Sequence, residues 1–213
     1  MRDATSPSPR LRIAVAPGVP SSQLSALLAL QRAEEPDVTL TFFEVAGEVM
    51  LEELRVGRYD AAVSLQGAGD LALKSQPLWT ESMAVAVPPR SRLLKQATLS
   101  IADLQGYPIY RWPAETCPLL DERLASLMPV DQENVVRATS FEMMALWVAA
   151  GYGVGVSAQL RIEHAHGWGI GMRPLADGTY KIVTHLLRPL AQADSAAERF
   201  ERRAQQIAKA SAA

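Results

Sequence analysis

The sequence predicts an α/β fold in two lobes. Three observations carry this. Between Leu11 and Leu65, short β-branched runs alternate with amphipathic stretches, the order of a parallel sheet with crossover helices. After Pro88-Pro89 the same order starts again, and past Gly171 two more strand-like runs and a long helix lead back toward the first lobe.

The first lobe opens with Leu11 to Ala16, built around Ile13 and Val15 and stopped by Pro17-Gly18, a buried strand. Leu24, Leu27 and Leu28 follow at helical spacing, with Ser21 and Ser22 placed to cap the helix and Pro36 to end it. Asp37 to Val45 then forms a second strand, completing a right-handed strand, helix, strand unit. Gly47 to Gly57 reads as a short amphipathic helix and Tyr59 to Leu65 as a third strand. Gln66 to Lys74 reads as a loop, and Met83 to Val87 as a strand cut off by the two prolines.

In the second lobe, Ser100 to Leu104 is helix-prone, Pro108 to Trp112 a strand and Pro118 to Met128 a helix. Asn134 to Ala138 is a strand, Ser140 caps a helix ending near Gly151, and Val154 to Val156 is another strand. Gly171 to Leu175 and Tyr180 to Leu187 are strands around the Asp177-Gly178 turn, and Ala193 to Ala210 is the closing helix.

At 213 residues and 48% hydrophobic composition, the chain buries a core and is not disordered. Twenty-one basic residues against twenty-three acidic ones give a net charge of -2, without the basic block of a nucleic-acid surface. The single cysteine, Cys117, excludes an internal disulfide and a four-cysteine zinc site. The first ten residues lack the apolar core of a signal peptide, and no apolar run approaches a membrane span, so a cytoplasmic location is expected. Ser6-Pro7-Ser8-Pro9 marks residues 1–10 as a linker or an expression remnant.

Leu11-Arg12-Ile13-Ala14-Val15-Ala16, Pro36-Asp37-Val38, the Gly47, Leu51, Leu54, Gly57 series and Asp60-Ala61-Ala62-Val63 come first in a longer set. Pro77-Leu78-Trp79-Thr80-Glu81, Leu99 to Leu104 with Tyr107-Pro108-Ile109, and Val148 to Gly155 complete it. In order and spacing this set resembles the effector-binding domain of LysR-type transcriptional regulators, from Leu11 to about Arg203. The resemblance implies a two-lobed fold like that of periplasmic solute-binding proteins, with a hinge and an effector cleft between the lobes. The expected division is 11–88 with 170–213 as lobe one and 89–169 as lobe two. There are three departures. The family's amino-terminal winged helix-turn-helix is missing, Ser91-Arg92 stands where His-Pro is usual, and Ala158 replaces the proline that commonly closes the glycine-rich segment.

Carried over residue by residue, the resemblance implies effector contacts at Ser21, Ser22, Thr80, Arg111, Trp112, Ser140 and Phe141. The chemistry is coherent. Hydroxyls and helix N-terminal amides hold a carboxylate, Arg111 neutralises it, and Trp112 and Phe141 cover an apolar body. The plainer alternatives are that the serines only cap helices, that Arg111 lies on the surface and that Trp112 is ordinary core.

No cofactor or metal is expected. Gly151, Gly153 and Gly155 follow a helix and precede a strand, the reverse of a dinucleotide fingerprint. His164 and His166 read as loop histidines with Glu163 as the nearest acid, and His185 stands apart. Cys117 reads as a small hydrophobe rather than a sensing thiol.

The expected function is a non-enzymatic regulatory domain that binds a small anionic effector, since no nucleophile, base and acid are recognisably paired. The alternatives are a stand-alone binding protein and an enzyme on the same fold. A homodimer is expected, higher in a full-length protein, with DNA contacted only through the missing domain. Its interface pairs the Gly47 to Gly57 helix with the partner's Pro118 to Met128 helix, because Val49, Met50, Leu51, Leu54 and Val56 spread too far round the helix for one sheet.

Overall fold

The computed structural model describes residues 9–69, 71–112, 117–127, 135–190 and 196–212. Expectations that fall on Met128, Asn134 or residues 193–195 lie outside them. The chain divides into two α/β units: one runs to Trp79 and resumes at Val183, and the other spans Thr80–Ile182. Nine strands and six α-helices are assigned among the described residues.

In the first unit, β1 (Arg10–Val15) lies between β2 (Thr39–Glu44) and β3 (Ala61–Ser64), parallel to both. Ile13 stands opposite Phe42 on one side and Ala61 on the other. β3 then pairs antiparallel with β9 (Lys181–Pro189), Val63 facing Leu186. Helix α1 (Ser21–Glu34) links β1 to β2, and α2 (Gly47–Arg55) links β2 to β3. The closing helix α6 (Ala196–Ala212) packs against α1 and β1. Leu11, Ile13, Leu27, Met50, Leu54, Phe200 and Ala204 are buried here.

Polar groups hold α6 in place. Arg203 donates from Nε to Glu34 Oε2 at 2.6 Å and from Nη1 to Gln31 Oε1 and Glu35 Oε2, each at 2.9 Å. Arg199 also binds Glu35, while Glu201 accepts from Lys74 at 2.6 Å and from Arg188. These carboxylates satisfy guanidinium groups that would be costly to bury alone.

In the second unit, the far half of β4 (Leu73–Val87) pairs antiparallel with β7 (Val154–Ala158) and with β8 (Gly171–Pro174). β5 (Ile109–Arg111) runs parallel between β7 and β6 (Val135–Arg137). Helices α3 (Pro118–Leu127), α4 (Phe141–Ala149) and α5 (Gln159–His164) complete the unit. Its core joins Ala84, Ala86, Tyr110, Trp112, Phe141, Met144, Val148 and Ile162. Gly153 is required by a close approach: a Cβ there would lie 2.2 Å from the Pro108 carbonyl oxygen.

The structure departs from several expectations. β4 starts at Leu73 rather than near Met83, so the expected loop is shorter. The polar run Lys74-Ser75-Gln76 hid this strand, just before which Ala72 O accepts from the distant Leu190 N. Because Met83–Val87 pair with β7 and β8, they belong to the second unit, and the division falls at Trp79–Thr80 rather than at Pro88-Pro89. β8 takes β4 as its partner, Val85 opposite Arg173, instead of forming a hairpin with β9. Ser100 to Leu104 forms a single 3-10 turn at Ile101–Leu104, closed by a reciprocal Ser100–Asp103 capping box. His164 ends helix α5 and is not in a loop. In α2, Met50 and Leu54 are fully buried, while Val49 and Val56, the residue that caps the helix end, are exposed at 50% and 76%.

Candidate functional site

Helix α1 begins with Ser21, but its N-cap is Pro20, with extended backbone and no side-chain hydrogen bond to the helix end. The serines therefore do not cap it, contrary to the sequence reading: the cap falls one residue earlier, on a side chain without an acceptor. Ser22 Oγ donates to Gln23 Oε1 at 2.6 Å, and the first turn contains no acidic residue. A fourteen-residue helix thus presents its positive end with no side-chain acceptor from its own cap.

Thr80 is exposed on β4, between buried Trp79 and buried Glu81, as the alternation of a strand requires. Ser140 is the N-cap of α4, its Oγ accepting from Met143 N at 3.1 Å. The cap directs Phe141 inward, where its ring meets Trp112 edge-on at a centroid distance of 6.0 Å. Phe141 also lies 5.9 Å from Trp168, which is half exposed. Trp112 and Phe141 are therefore core residues, and through Trp168 their aromatic strip reaches the surface.

Arg111 follows a different course. Its guanidinium is 1% exposed and donates from Nε and Nη2 to Asp121 Oδ1 of α3, at 2.9 and 2.5 Å. It is not on the surface, and its charge is met by a protein carboxylate rather than reserved for a ligand. Successive strand residues project to opposite faces, so Arg111 and Trp112 part company at the end of β5.

The cation at the aromatic wall is Arg161 of α5, whose guanidinium carbon lies 4.8 Å from the Trp112 ring centroid and 5.5 Å from that of Phe141. Arg161 also acts on Glu81, which is 7% exposed. Burial pushes the Glu81 carboxyl up to about 6, with the Arg161 charge opposing the shift. Ser157 stands beside Trp112, one residue past the Arg111–Val156 pair. Its Oγ is fully buried and without a hydrogen-bond partner. Sequence reasoning assigned no role to Arg161, Glu81 or Ser157. The α5 segment has too little apolar periodicity to announce a helix, so nothing linked Arg161 to β4.

Elsewhere, Ser75 Oγ lies 3.2 Å from His185 Nδ1, packed so closely that a Cβ at Gly67 would come within 3.3 Å of both side chains. Burial lowers the His185 pKa. Cys117 is buried in the second unit, as a small hydrophobe would be. Among the described residues, no cluster of three or more His, Cys, Asp or Glu side chains is placed to hold a metal ion, and no helix is long and apolar enough to cross a membrane.

Two α/β units, joined where β4 and β9 each pass from one to the other, define the class: a two-lobed, periplasmic binding protein-like domain. A model of the LysR substrate binding domain matches residues 4–208, and the chain belongs to that family. No curated protein matches it significantly. Among solved structures, a mutant of full-length BenM superposes with a TM-score of 0.86 at 18% identity, covering 99% of this chain and 71% of that one. The effector binding domain of QuiR in complex with shikimate gives 0.80 at 16%, covering 94% and 97%. The reduced OxyR regulatory domain from Pseudomonas aeruginosa gives 0.76 at 16%, covering 95% and 98%. At these identities the likeness is one of fold.

Proposed function

We propose that this chain is the ligand-sensing domain of a LysR-type transcriptional regulator, which binds a small organic acid between its lobes and changes the arrangement of its subunits in response. Family membership supports ligand sensing. The observation that carries an anionic ligand is the start of α1, where amide donors and the helix dipole meet neither a side-chain cap nor a first-turn acid. Ser21, Ser22, Thr80 and Ser140 supply polar contacts to the ligand, and Phe141 and Trp112, continued to the surface by Trp168, an apolar one. Arg111 contributes indirectly, by fixing α3 through Asp121. The QuiR domain, of the same fold, was solved with shikimate, itself a hydroxylated carboxylic acid.

The domain works by differential affinity: a ligand that prefers one arrangement of the lobes shifts the population toward it, and no bond is broken. The protein acts in the cytoplasm as a homodimer. DNA is contacted through a segment other than this one, whose net charge of -2 gives phosphate no basic surface. Isothermal calorimetry of the purified chain against a panel of metabolic carboxylates, phosphates and uncharged analogues is the test. Micromolar binding of a carboxylate, weakened by substitution at Ser22 or Ser140, supports the proposal. Binding confined to uncharged compounds, or unaffected by either substitution, overturns it.

A further inference from the structure

We propose that the second unit carries a separate site for a small, flat, uncharged aromatic molecule, in the recess between β6 and α4. Tyr110 of β5 belongs to the buried core under α4, and its partner across the ladder is Val136 of β6, which projects to the same face of the sheet. Helix α4 packs on β5 and β7, whereas β6 ends the sheet among the described residues. Val136 is therefore left partly uncovered beside Met143 and Trp147 of α4, and together with Tyr110 these side chains line a cavity of about 300 Å³. The site stands whether or not an acid binds at the start of α1. Along α4, Phe141 and Met144 turn into the core, and Met143 and Trp147 face the recess.

The lining selects the occupant. The volume lies at the lower end of the roughly 300–1,000 Å³ of small-molecule sites, and suits one ring or two fused rings. Trp147 is 41% exposed yet held from two sides: its ring lies 5.4 Å from that of Tyr110, tilted by 36°, and 5.4 Å from that of Tyr152, edge-on at 68°. An exposed indole fixed in this way is a preorganised wall, which lowers the ordering cost of binding and adds ring-to-ring contact to the burial of area. Met143 contributes a soft sulfur that suits an aromatic edge. Charge is not provided for. Among the described residues no acid lines the cavity, and Arg137, the cation of the lining, already has a partner of its own. An ionised ligand would lose hydration with no counter-charge set aside for it, whereas Tyr110 and Thr139 carry hydroxyls enough for a single polar group. A strand added by a protein partner would run beside β6 in the plane of the sheet and leave this recess, on the sheet's face, unfilled.

The experiment is calorimetry of the purified chain at pH 7 with four probes: indole, naphthol, its charged counterpart naphthoate and its saturated counterpart decahydronaphthol. Indole or naphthol should bind with a dissociation constant of about 100 μM or tighter, naphthoate about tenfold more weakly than naphthol and decahydronaphthol about fivefold more weakly. Trp147→Leu and Val136→Asp should each weaken the aromatic about tenfold, while Trp147→Phe, which keeps a ring, retains most of the affinity. Both positions are partly exposed, and circular dichroism melts establish that each variant is folded. The proposal is overturned if neither aromatic binds saturably, if naphthoate binds as tightly as naphthol, or if Trp147→Leu leaves the affinity unchanged. Light scattering tests the competing occupant. A chain that self-associates and becomes monomeric on Trp147→Leu, with no aromatic bound, has a second copy on this face, and the small-molecule site falls.

Discussion

Arg111 and Trp112 are consecutive residues that serve opposite faces of one sheet: the guanidinium is held by Asp121 on α3, and the indole packs on Phe141 at the start of α4. Position in the sequence brings them together, and strand geometry separates their chemistry. Arg111 thereby ties β5 to α3, and the rings of Trp112 and Phe141 meet a different cation, Arg161 of α5.

Removing the carboxylate that meets Arg111 leaves a buried charge without that partner. Asp121→Ala should destabilise the protein by about 1–3 kcal/mol, and adding Arg111→Met should recover part of the loss, because the charge disappears with its need for compensation. Urea unfolding at unchanged slope is the measurement. A double variant no more stable than Asp121→Ala contradicts the account.

A carboxylate introduced at the start of α1 should act as an internal competitor for an anionic ligand. Ser22→Asp is expected to stabilise the unliganded protein by about 0.3–1 kcal/mol through the helix dipole and to weaken ligand binding about tenfold. Ser22→Asn, which carries no charge, separates the electrostatic effect from the steric one. Equal affinities for the Asp and Asn variants argue against an anion at this helix end.

Glu81 makes stability depend on pH in the direction opposite to a salt-bridged acid. Its folded pKa of about 6 lies above the reference 4.5, so its stabilising contribution is complete below 4.5 and is lost as pH rises through 6. At about 1.4 kcal/mol per unit, Glu81→Gln should gain about 2 kcal/mol relative to wild type between pH 4 and pH 8. Chemical denaturation at both pH values decides this, and a gain at pH 4 instead refutes it.

The proposed dimer places α2 of one subunit against α3 of its partner, where Leu119 is exposed. Val56→Glu should therefore convert dimer to monomer with both units folded, as read by light scattering at micromolar concentration. Met50 is fully buried, so Met50→Glu should unfold the first unit rather than dissociate the dimer, at a cost of several kcal/mol. A wild-type monomer, or a dimeric Val56→Glu protein, rules out this interface.

Most elements were legible because each has a local cause. Ile13 and Val15 favour an extended chain, Pro36 lies just beyond the end of α1, and Ser140 caps α4 as its position predicted. Where the local signal was weak or depended on remote partners, sequence reasoning stopped short. The early half of β4 is polar, and six-residue α5 has one fully buried apolar anchor, Ile162. Ser21 and Ser22 show the limit at single-residue scale. A serine next to a helix is a capping candidate, but only the backbone conformation of Pro20 decides which residue occupies the cap.

By itself, the sequence determined the α/β class, the order of nearly all the elements, the family, and the near balance of acidic and basic residues. These follow from periodicity, from breaker residues and from composition, which act over a few residues or over the whole chain at once. Only the tertiary structure decided which charges stand together. Arg111 and Asp121 are ten residues apart, and Glu81 and Arg161 eighty. No periodicity connects such pairs: their meeting depends on sheet register, on the face to which each side chain projects, and on the burial that makes a charge seek a partner.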